Sequence, residues 1–243
     1  MKGLVVLTAL LALASAATAD EAAVRKLVQS RAGDQAKIEG IARVSGTSLY
    51  EVTLRGPSGL QLFYVDDRAR VVVVGQLLDG RSGRNLTEER LRKLNAIDWR
   101  TLPFADAITT TRGNGRRKVA VFSDPNCPYC KQFEKDLATL DDITVHIFVF
   151  PVIRPESVPL TKSVWCSRDR AKAWNDLMLR DIEPTAAPDC DTPVEKLVEL
   201  GRSLGATSTP TWFVETGERY TGAIPLEDTR RILDDAARAK GAK

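Results

Sequence analysis

The chain has 243 residues, 43% of them hydrophobic and 28% charged, which is ordinary globular usage and excludes wholesale disorder and collagen-like repeats. Thirty-five basic and 32 acidic side chains leave a net charge of +3, too small to make nucleic acid or a polyanionic surface a required partner. The single histidine, His146, excludes a multi-histidine metal site within one chain, and we expect neither a metal nor another cofactor.

The N-terminus has the pattern of an export signal. Lys2 precedes an uncharged run rich in leucine and alanine over residues 4–14, and the small residues Ala17 and Ala19 stand where a signal peptidase would cleave. The apolar run is much shorter than the roughly 20 residues that a membrane anchor needs. We therefore expect residues 1–19 to be a cleaved signal peptide and the mature protein to be exported to a compartment where disulfides form.

Residues 20–84 are predicted to form a small domain dominated by antiparallel strands. A short helix over 20–31 precedes strand-like segments at 49–54 and 60–65, which are separated by turn residues, and a β-branched run at 71–74. A unit this small is near the lower limit for an independent hydrophobic core. Because pairing with a second copy at a sheet edge would bury more apolar surface, we expect this to be a dimerisation domain.

A connector is predicted over residues 85–105. Asn85 or Thr87 caps a helix whose first turn is acidic, as helix N-termini favour, and Pro103 ends the helical pattern. The polar run over 109–117 then indicates an irregular tether. We therefore expect a linker helix between two domains.

Residues 106–243 are predicted to form an α/β domain. The predicted elements are, in chain order, a strand at 119–122, a helix at 131–140, a strand at 143–150, helical stretches at 159–179 and 193–204, a hairpin with strands at 211–214 and 219–221, and a helix at 225–240. This order predicts a mixed sheet with a long helical insert between its second and third strands.

The tetrad Cys127-Pro128-Tyr129-Cys130 lies between a predicted buried strand and a predicted helix. A thiol at a helix N-terminus is close to unpaired backbone N–H groups and to the positive end of the helix dipole, which stabilise its thiolate. We therefore expect Cys127 to attack disulfides and Cys130, one turn inside the helix, to be the shielded resolving thiol. A structural disulfide within the tetrad and a zinc site made from all four cysteines are the alternatives.

Cys166 and Cys190 are the other two cysteines. In an oxidising compartment they most simply pair with each other, and closing the loop between them should stabilise the fold by about 3.5 kcal/mol. A second redox pair is the alternative, although nothing beside either cysteine supports a thiolate.

The Thr209-Pro210 step stands immediately before the predicted strand at 211–214. A proline that begins a strand is the simplest interpretation, and most X-Pro bonds are trans. A cis bond would instead present the Thr209 backbone to an extended substrate chain. The sequence alone does not decide between the two forms.

These motifs resemble a thioredoxin fold over about residues 106–243, and the whole chain resembles the periplasmic disulfide isomerases of the DsbC and DsbG type. Residues 49–52 and 94–96 are similar to DsbC proteins, as is the segment from Trp165 to Asp191. The resemblance implies an α+β N-terminal dimerisation domain, a linker helix and a C-terminal α/β thioredoxin-like domain with a helical insert.

The resemblance also implies a function and a site. It implies a periplasmic disulfide isomerase and reductase with chaperone activity, a V-shaped homodimer that acts on misfolded disulfide-containing exported proteins. A membrane thiol reductant of the DsbD type would keep it reduced. Pro210 would be cis beside Cys127 and Cys130, and the insert would carry the structural disulfide Cys166–Cys190. The residues implied to contact substrate are Thr209, Pro210, Pro128 and Tyr129.

Some features depart from a single subfamily. The tetrad with the Lys131-Gln132-Phe133 that follows it is more similar to DsbG, whereas the second cysteine pair is similar to DsbC. Thioredoxin has a buried acid six residues before its first active-site cysteine, where this chain has Val121. We therefore expect no such carboxylate here, with Asp124 as the remaining substitute, and we expect His146 to pack within its strand. A monomeric oxidase of the DsbA kind and a non-catalytic holdase are the alternative functions.

Overall fold

The structure is a computed structural model that describes residues 16–33, 36–57 and 59–241. The chain folds into two compact units, one ending at Leu91 and the other beginning at Arg92, and each has its own hydrophobic core. The predicted signal peptide falls mostly outside the described residues. Within those described ranges, no helix combines the length and the apolar character needed to cross a bilayer.

The N-terminal unit is a helix packed on a four-stranded antiparallel sheet. Its elements are α1 (Ala16–Ala32), β1 (Lys37–Arg43), β2 (Leu49–Gly56), β3 (Gly59–Asp66) and β4 (Val72–Val73). The strands lie in chain order, so β1 and β4 form the two edges. β1 opens the strand region that the sequence pattern predicts from about residue 36, although the pattern does not delimit this strand. Its pairing with β2 is irregular between Ile38 and Gly40.

Alternation along β2 builds the core of this unit. Tyr50, Val52 and Leu54 are buried, and alternate residues of a strand share one face. They pack in one cluster with Val24 and Val28 of α1. This is the half-buried sheet that the strand pattern predicts.

The helix α2 (Leu86–Leu94) follows the sheet. Of the two predicted caps, Asn85 serves: its Oδ1 accepts a hydrogen bond from the Glu88 N–H at 3.1 Å. Thr87 is buried instead, and its Oγ1 accepts a hydrogen bond from the Leu77 N–H at 2.7 Å. The helix ends at Leu94, so the helical part of the connector is shorter than the sequence pattern indicates.

The chain after α2 is part of the C-terminal unit. The Ile97 N–H donates to the carbonyl of Gly217 at 3.0 Å. Two short 3₁₀ turns follow, at Trp99–Thr101 and Phe104–Asp106. Trp99 and Leu102 are buried in the core of that unit, which is why a regular linker helix does not continue here.

The C-terminal unit has a five-stranded mixed sheet with helices around it. Its elements are β5 (Ile108–Arg112), β6 (Arg117–Ser123), α3 (Pro128–Ala138), β7 (Ile143–Val149), α4 (Ser157–Cys166), α5 (Arg170–Arg180), α6 (Val194–Ser203), β8 (Thr211–Val214), β9 (Arg219–Thr221) and α7 (Leu226–Gly241). The strand order is β5-β7-β6-β8-β9, with β6 and β7 parallel and the other pairs antiparallel. The predicted fold class, an α+β domain followed by an α/β thioredoxin-like domain with a helical insert, is confirmed.

Two stretches differ from the sequence prediction. The first four residues of the polar run predicted as an irregular tether, 109–112, belong to the edge strand β5, which pairs with β7. Its threonines are β-branched and suit an edge strand with one solvent-exposed face, so a polar composition does not by itself indicate irregular structure here. The single helical stretch predicted over 159–179 is two helices, because the Asp169 side chain caps α5 by accepting from the Lys172 N–H at 2.9 Å.

The close approach of α6 to the sheet gives a first prediction. A Cβ added at Gly201 would lie 2.6 Å from Phe150 Cε2 and 2.9 Å from Phe122 Cδ1, and both rings belong to the buried core. We expect Gly201→Ala to lower the free energy of unfolding by about 1–3 kcal/mol, although alanine favours helix, because overpacking a core is costly. Ser203→Ala, an exposed change on the same helix, should stay within about 0.5 kcal/mol of wild type. Urea unfolding followed by tryptophan fluorescence measures both, and a Gly201→Ala protein as stable as wild type would contradict the packing described.

Candidate active site

The cysteine tetrad sits where β6 gives way to α3. Cys127 is the N-cap of α3, and its Sγ accepts a hydrogen bond from the Cys130 N–H at 3.4 Å. Pro128 occupies the first helical turn. Backbone N–H groups there have no partner within the helix, so the N–H that proline lacks costs no hydrogen bond. Cys127 and Cys130 are both buried free thiols, whereas the side chain of Tyr129 between them is 69% exposed.

The two thiols have opposite electrostatics. A hydrogen bond from Cys130 is the main cause that lowers the pKa of Cys127 to about 6; burial opposes it, and backbone N–H groups at the helix start add to it. Burial raises the pKa of Cys130 far above its ordinary range, and the neighbouring Cys127 raises it further. At neutral pH the outer sulfur is therefore a thiolate and the inner one a thiol, which is the division of labour that thiol–disulfide exchange needs.

The Thr209-Pro210 step lies directly against Cys127. The peptide bond between these residues is cis, and the Thr209 carbonyl oxygen lies 3.4 Å from Cys127 Sγ, a hydrogen-bond distance when Cys127 carries its proton. Pro210 leads into β8, the strand that pairs with β6. The structure thus brings the Thr209 carbonyl to the sulfur that the sequence predicts to be the nucleophile, with Pro210 next to it in the chain.

Asp124 holds the loop around the tetrad. Its carboxylate is fully buried; Oδ2 accepts from the N–H groups of Val152 and Ile153 at 2.7 and 2.8 Å, and Oδ1 accepts from the Asn126 N–H at 2.7 Å and the Ser157 hydroxyl at 2.8 Å. The Asp124 carbonyl also accepts from the Cys127 N–H at 3.1 Å. With both oxygens occupied in this way, Asp124 is a positioning residue and is not the proton acceptor considered from the sequence.

The expectation of no carboxylate six residues before Cys127 holds, since Val121 is a buried apolar residue there, but a second buried carboxylate lies elsewhere near the tetrad. Glu134, on α3, accepts hydrogen bonds from the Ser123 hydroxyl and from Trp174 Nε1, each at 2.6 Å. Burial is the main cause that raises the pKa of Glu134 to about 7. A signal was available in the sequence: Glu134 is four residues after Cys130, so a helix places both on one face, and Phe133 beside it is apolar.

The remaining cysteines form a disulfide, Cys166–Cys190, which joins the end of α4 to the loop before α6. A zinc site made from all four cysteines is therefore wrong, because two of its ligands are bonded to each other. Among the described residues, no group of three or more histidine, cysteine or acidic side chains is placed to hold a metal ion.

His146 lies in β7 and contacts aromatic and polar neighbours. Its Nδ1 is 2.8 Å from the Thr109 hydroxyl, and its ring centroid is 4.6 Å from that of Phe104. Burial, with a smaller contribution from Lys118, lowers the pKa of His146 to about 4. The imidazole is neutral at physiological pH and packs within the sheet.

A dithiol at a strand-to-helix turn, beside a cis proline that directly precedes the neighbouring strand β8, defines a thioredoxin-fold protein. Residues 104–237 match the family model of the thioredoxin-like domain. Residues 15–88 match that of the disulfide bond isomerase protein N-terminal domain. The chain belongs to the DsbC family of thiol:disulfide interchange proteins.

Relatives and solved structures agree with this membership. The chain is 39% identical over 185 residues to a probable thiol:disulfide interchange protein DsbC of Bordetella parapertussis, an alignment that covers 76% of this chain and 64% of that relative's length. It is 38% identical to the Bordetella avium protein of the same name, covering 87% of this chain and 74% of that one. It is 26% identical to Escherichia coli DsbC, covering 100% and 99%. A crystal structure of a disulfide interchange protein from Neisseria gonorrhoeae, 36% identical, superposes with a TM-score of 0.54 over 56% of this chain and 99% of that one.

Proposed function

We propose that this protein is a periplasmic disulfide isomerase and reductase that rearranges non-native disulfides in exported proteins. The observation that carries the proposal is the pairing of a Cys127 thiolate, at the start of α3, with a protonated Cys130 beneath it. Cys127 and Cys130 are its catalytic residues. Thr209, Pro210, Pro128 and Tyr129 form the surface that contacts substrate.

The reaction begins with attack of the Cys127 thiolate on a disulfide sulfur of the substrate. A bond between Cys127 Sγ and that sulfur forms, the substrate S–S bond breaks, and its electron pair leaves on the other sulfur. If a substrate thiolate then displaces Cys127, the disulfide has moved with no net redox change. If Cys130 displaces the substrate instead, the enzyme becomes a disulfide, the substrate gains two electrons, and a thiol reductant must regenerate the dithiol. A membrane reductant of the DsbD type is the proposed donor.

The backbone at the site supports recognition of an extended peptide chain. The Thr209 carbonyl lies 3.4 Å from Cys127 Sγ, where a backbone N–H of a bound chain would meet it. Tyr129, Val152 and Ile153 expose apolar surface, 69%, 38% and 46% respectively. An unfolded protein exposes apolar side chains and unpaired backbone groups together, so a misfolded exported protein fits this chemistry.

The N-terminal unit is proposed to form the homodimer. Residues 71–74 are four consecutive valines, the middle two of which form the edge strand β4. They are exposed by 53%, 46%, 42% and 84%, and Leu78 nearby is 56% exposed. An apolar run on an open sheet edge is a site for pairing with another strand. A second copy of this chain would cover it, and two catalytic units would then share one client, which is also the basis for a proposed chaperone activity.

The test is the reactivation of a scrambled multi-disulfide protein by wild type and by Val72→Asp/Val74→Asp. Facing aspartates would repel each other across the pairing edge, so we expect light scattering to show a monomer. We also expect the isomerisation rate to fall about tenfold or more, because a monomer cannot bind one substrate protein through two catalytic units. Reduction of a small disulfide should not change. Ile182→Asp, which charges a 51% exposed apolar residue of the other unit, is the matched control.

The outcomes separate the alternative functions. A wild-type protein that only oxidises thiols, as a monomer, would favour the oxidase of the DsbA kind. Prevention of aggregation that survives loss of both active-site cysteines, without any reshuffling, would favour the non-catalytic holdase. Isomerisation that is equally fast in the Val72→Asp/Val74→Asp monomer would overturn the role proposed for the dimer.

A further inference from the structure

The inner thiol poses a chemical problem that its buried surroundings address. Cys130 is fully buried and protonated, yet it must become a thiolate to attack the sulfur of Cys127. The Cys127 thiolate cannot be the base in that step, because in the mixed disulfide its sulfur is bonded to the substrate. Another group has to receive the proton, and bulk water does not reach a fully buried sulfur.

Polar side chains lead from Cys130 to a buried carboxylate. Burial has the larger effect on the pKa of the Cys130 thiol, and the Ser123 hydroxyl, at the end of β6, acts against it and lowers that pKa. The same hydroxyl donates to Glu134 Oε1 at 2.6 Å. A hydroxyl can pass a proton along, since it accepts with one lone pair while it donates its own hydrogen.

We propose that Glu134 receives the proton of Cys130 through the Ser123 hydroxyl when Cys130 attacks Cys127, and returns it when the dithiol is regenerated. The inference rests on the roles proposed above for the two cysteines. In the forward step the Cys130 S–H proton moves to Ser123 Oγ as the Ser123 proton moves to Glu134 Oε1. The Cys127–Cys130 bond forms, the bond from Cys127 to the substrate breaks, and the substrate sulfur leaves with the electron pair.

A tryptophan of the helical insert positions the Glu134 carboxylate for proton transfer. Trp174, on α5, is 1% exposed and donates its Nε1–H to Glu134 Oε2 at 2.6 Å. One oxygen of the carboxylate is thus fixed by a group that has no proton to exchange at physiological pH, and the other is aimed at Ser123. Because burial raises the pKa of Glu134 to about 7, the carboxyl can both take and release a proton near neutral pH.

The proton has a way out on the far side of Glu134. A cavity of about 50 Å³ lies between α3, α5 and the strands β5 and β7, and Glu134, Thr110, Arg112 and Asn175 line it. That volume is large enough for a water molecule, and these side chains supply polar partners for one. Arg112 is the one ionisable group besides Glu134 among the cavity-lining residues; its guanidinium donates to the carbonyls of Leu137 and Leu140. At the start of α3, the charge of Cys127 raises the pKa of Glu134 further.

The experiment follows both sulfurs in one reaction. Reduced protein is mixed with the aromatic disulfide 5,5′-dithiobis(2-nitrobenzoate) in a stopped-flow instrument, which resolves two releases of the yellow thiolate. The first release reports attack by Cys127 and the second reports its displacement by Cys130. For Glu134→Gln we expect an unchanged first phase and a second phase about 100-fold slower at pH 7, the lower range for loss of general base catalysis.

The pH profile distinguishes proton transfer from a structural role. The second phase of wild type should rise through about pH 7, as Glu134 becomes a carboxylate, and then level off. In Glu134→Gln that inflection should disappear, leaving a rate that climbs only with hydroxide. Ser123→Ala, which removes the relay but keeps the carboxylate, should show the same loss, and it decides the matter if Glu134→Gln does not fold. Glu199→Gln, an exposed change on α6, is the matched control.

An unchanged second phase in both variants, or an equal slowing of both phases, would overturn the relay. Failure of the underlying assignment looks different. If Cys127→Ser still shows a first phase, the proposed nucleophile is wrong, whatever the Glu134 variants do. If Cys130→Ser still shows a second phase, the resolving thiol is wrong.

Discussion

Replacing Cys127 with serine is expected to abolish disulfide isomerisation and reduction together. A serine hydroxyl is un-ionised near neutral pH and is not a nucleophile toward sulfur, whereas the pKa of Cys127 is lowered to about 6. The reactivation rate of a scrambled protein should fall to that of the buffer thiols alone. The thiolate absorbance at 240 nm should rise with a midpoint near pH 6 in wild type, as Cys127 loses its proton, and that rise should be missing in Cys127→Ser.

Cys130→Ser is the matched variant for this prediction. It keeps the nucleophile but removes the resolving thiol, so mixed disulfides with substrate should accumulate, and reduction should suffer more than isomerisation. Because the hydrogen bond from Cys130 is the main cause of the low pKa of Cys127, Cys130→Ala, which unlike serine has no side-chain donor, should also move the absorbance midpoint to higher pH. Substantial turnover by Cys127→Ser would contradict the assignment of the nucleophile.

Asp124→Asn is expected to lower the free energy of unfolding of the C-terminal unit by about 3 kcal/mol. The amide group is isosteric with the carboxylate, yet its NH₂ end would face N–H donors at Val152 and Ile153 or at Asn126, and each buried donor left unpaired costs about 1–3 kcal/mol. The measurement is urea unfolding by tryptophan fluorescence. All four tryptophans lie in this unit, at Trp99, Trp165, Trp174 and Trp212.

The control for Asp124→Asn is the same substitution at a solvent-exposed aspartate that also accepts a hydrogen bond. Asp228 on α7 accepts from Arg231 at 2.9 Å, and its side chain is 49% exposed. Asp228→Asn should change the stability by no more than about 0.5 kcal/mol, as is usual for a surface ion pair. If Asp124→Asn proved as mild as Asp228→Asn, the loop would be held by its backbone bonds and not by the carboxylate.

The sequence predicts most of what is local. The position of Cys127 at a helix start depends on the strand before it and the helix after it, and both patterns are visible in a stretch of about 20 residues. The strands β2 and β3 follow from alternation and turn residues in the same way. The pairing of Cys166 with Cys190 follows from there being two cysteines outside the tetrad.

What the sequence leaves open depends on contacts between distant segments. The burial of Glu134 requires Trp174 from the insert, 40 positions further on, and the role of Asp124 requires the backbone of Val152 and Ile153, 28 and 29 positions further on. β5 is a strand because β7 offers it an edge: the threonines of the polar run are compatible with a strand, but the run itself does not reveal its partner. In each case a residue that looks ordinary alone takes its role from a partner that the fold supplies.

The two cysteine pairs place an unusual demand on any reductant that serves this protein. Cys127 and Cys130 are free and buried, whereas Cys166–Cys190 is oxidised with Cys190 at the surface. If solvent exposure alone decided which sulfur a reductant reaches, the structural disulfide Cys166–Cys190 would be attacked before the active-site pair. A donor that keeps the first pair reduced and spares the second has to discriminate between them, either by recognising the surface around Cys127 or because the structural disulfide has the lower reduction potential.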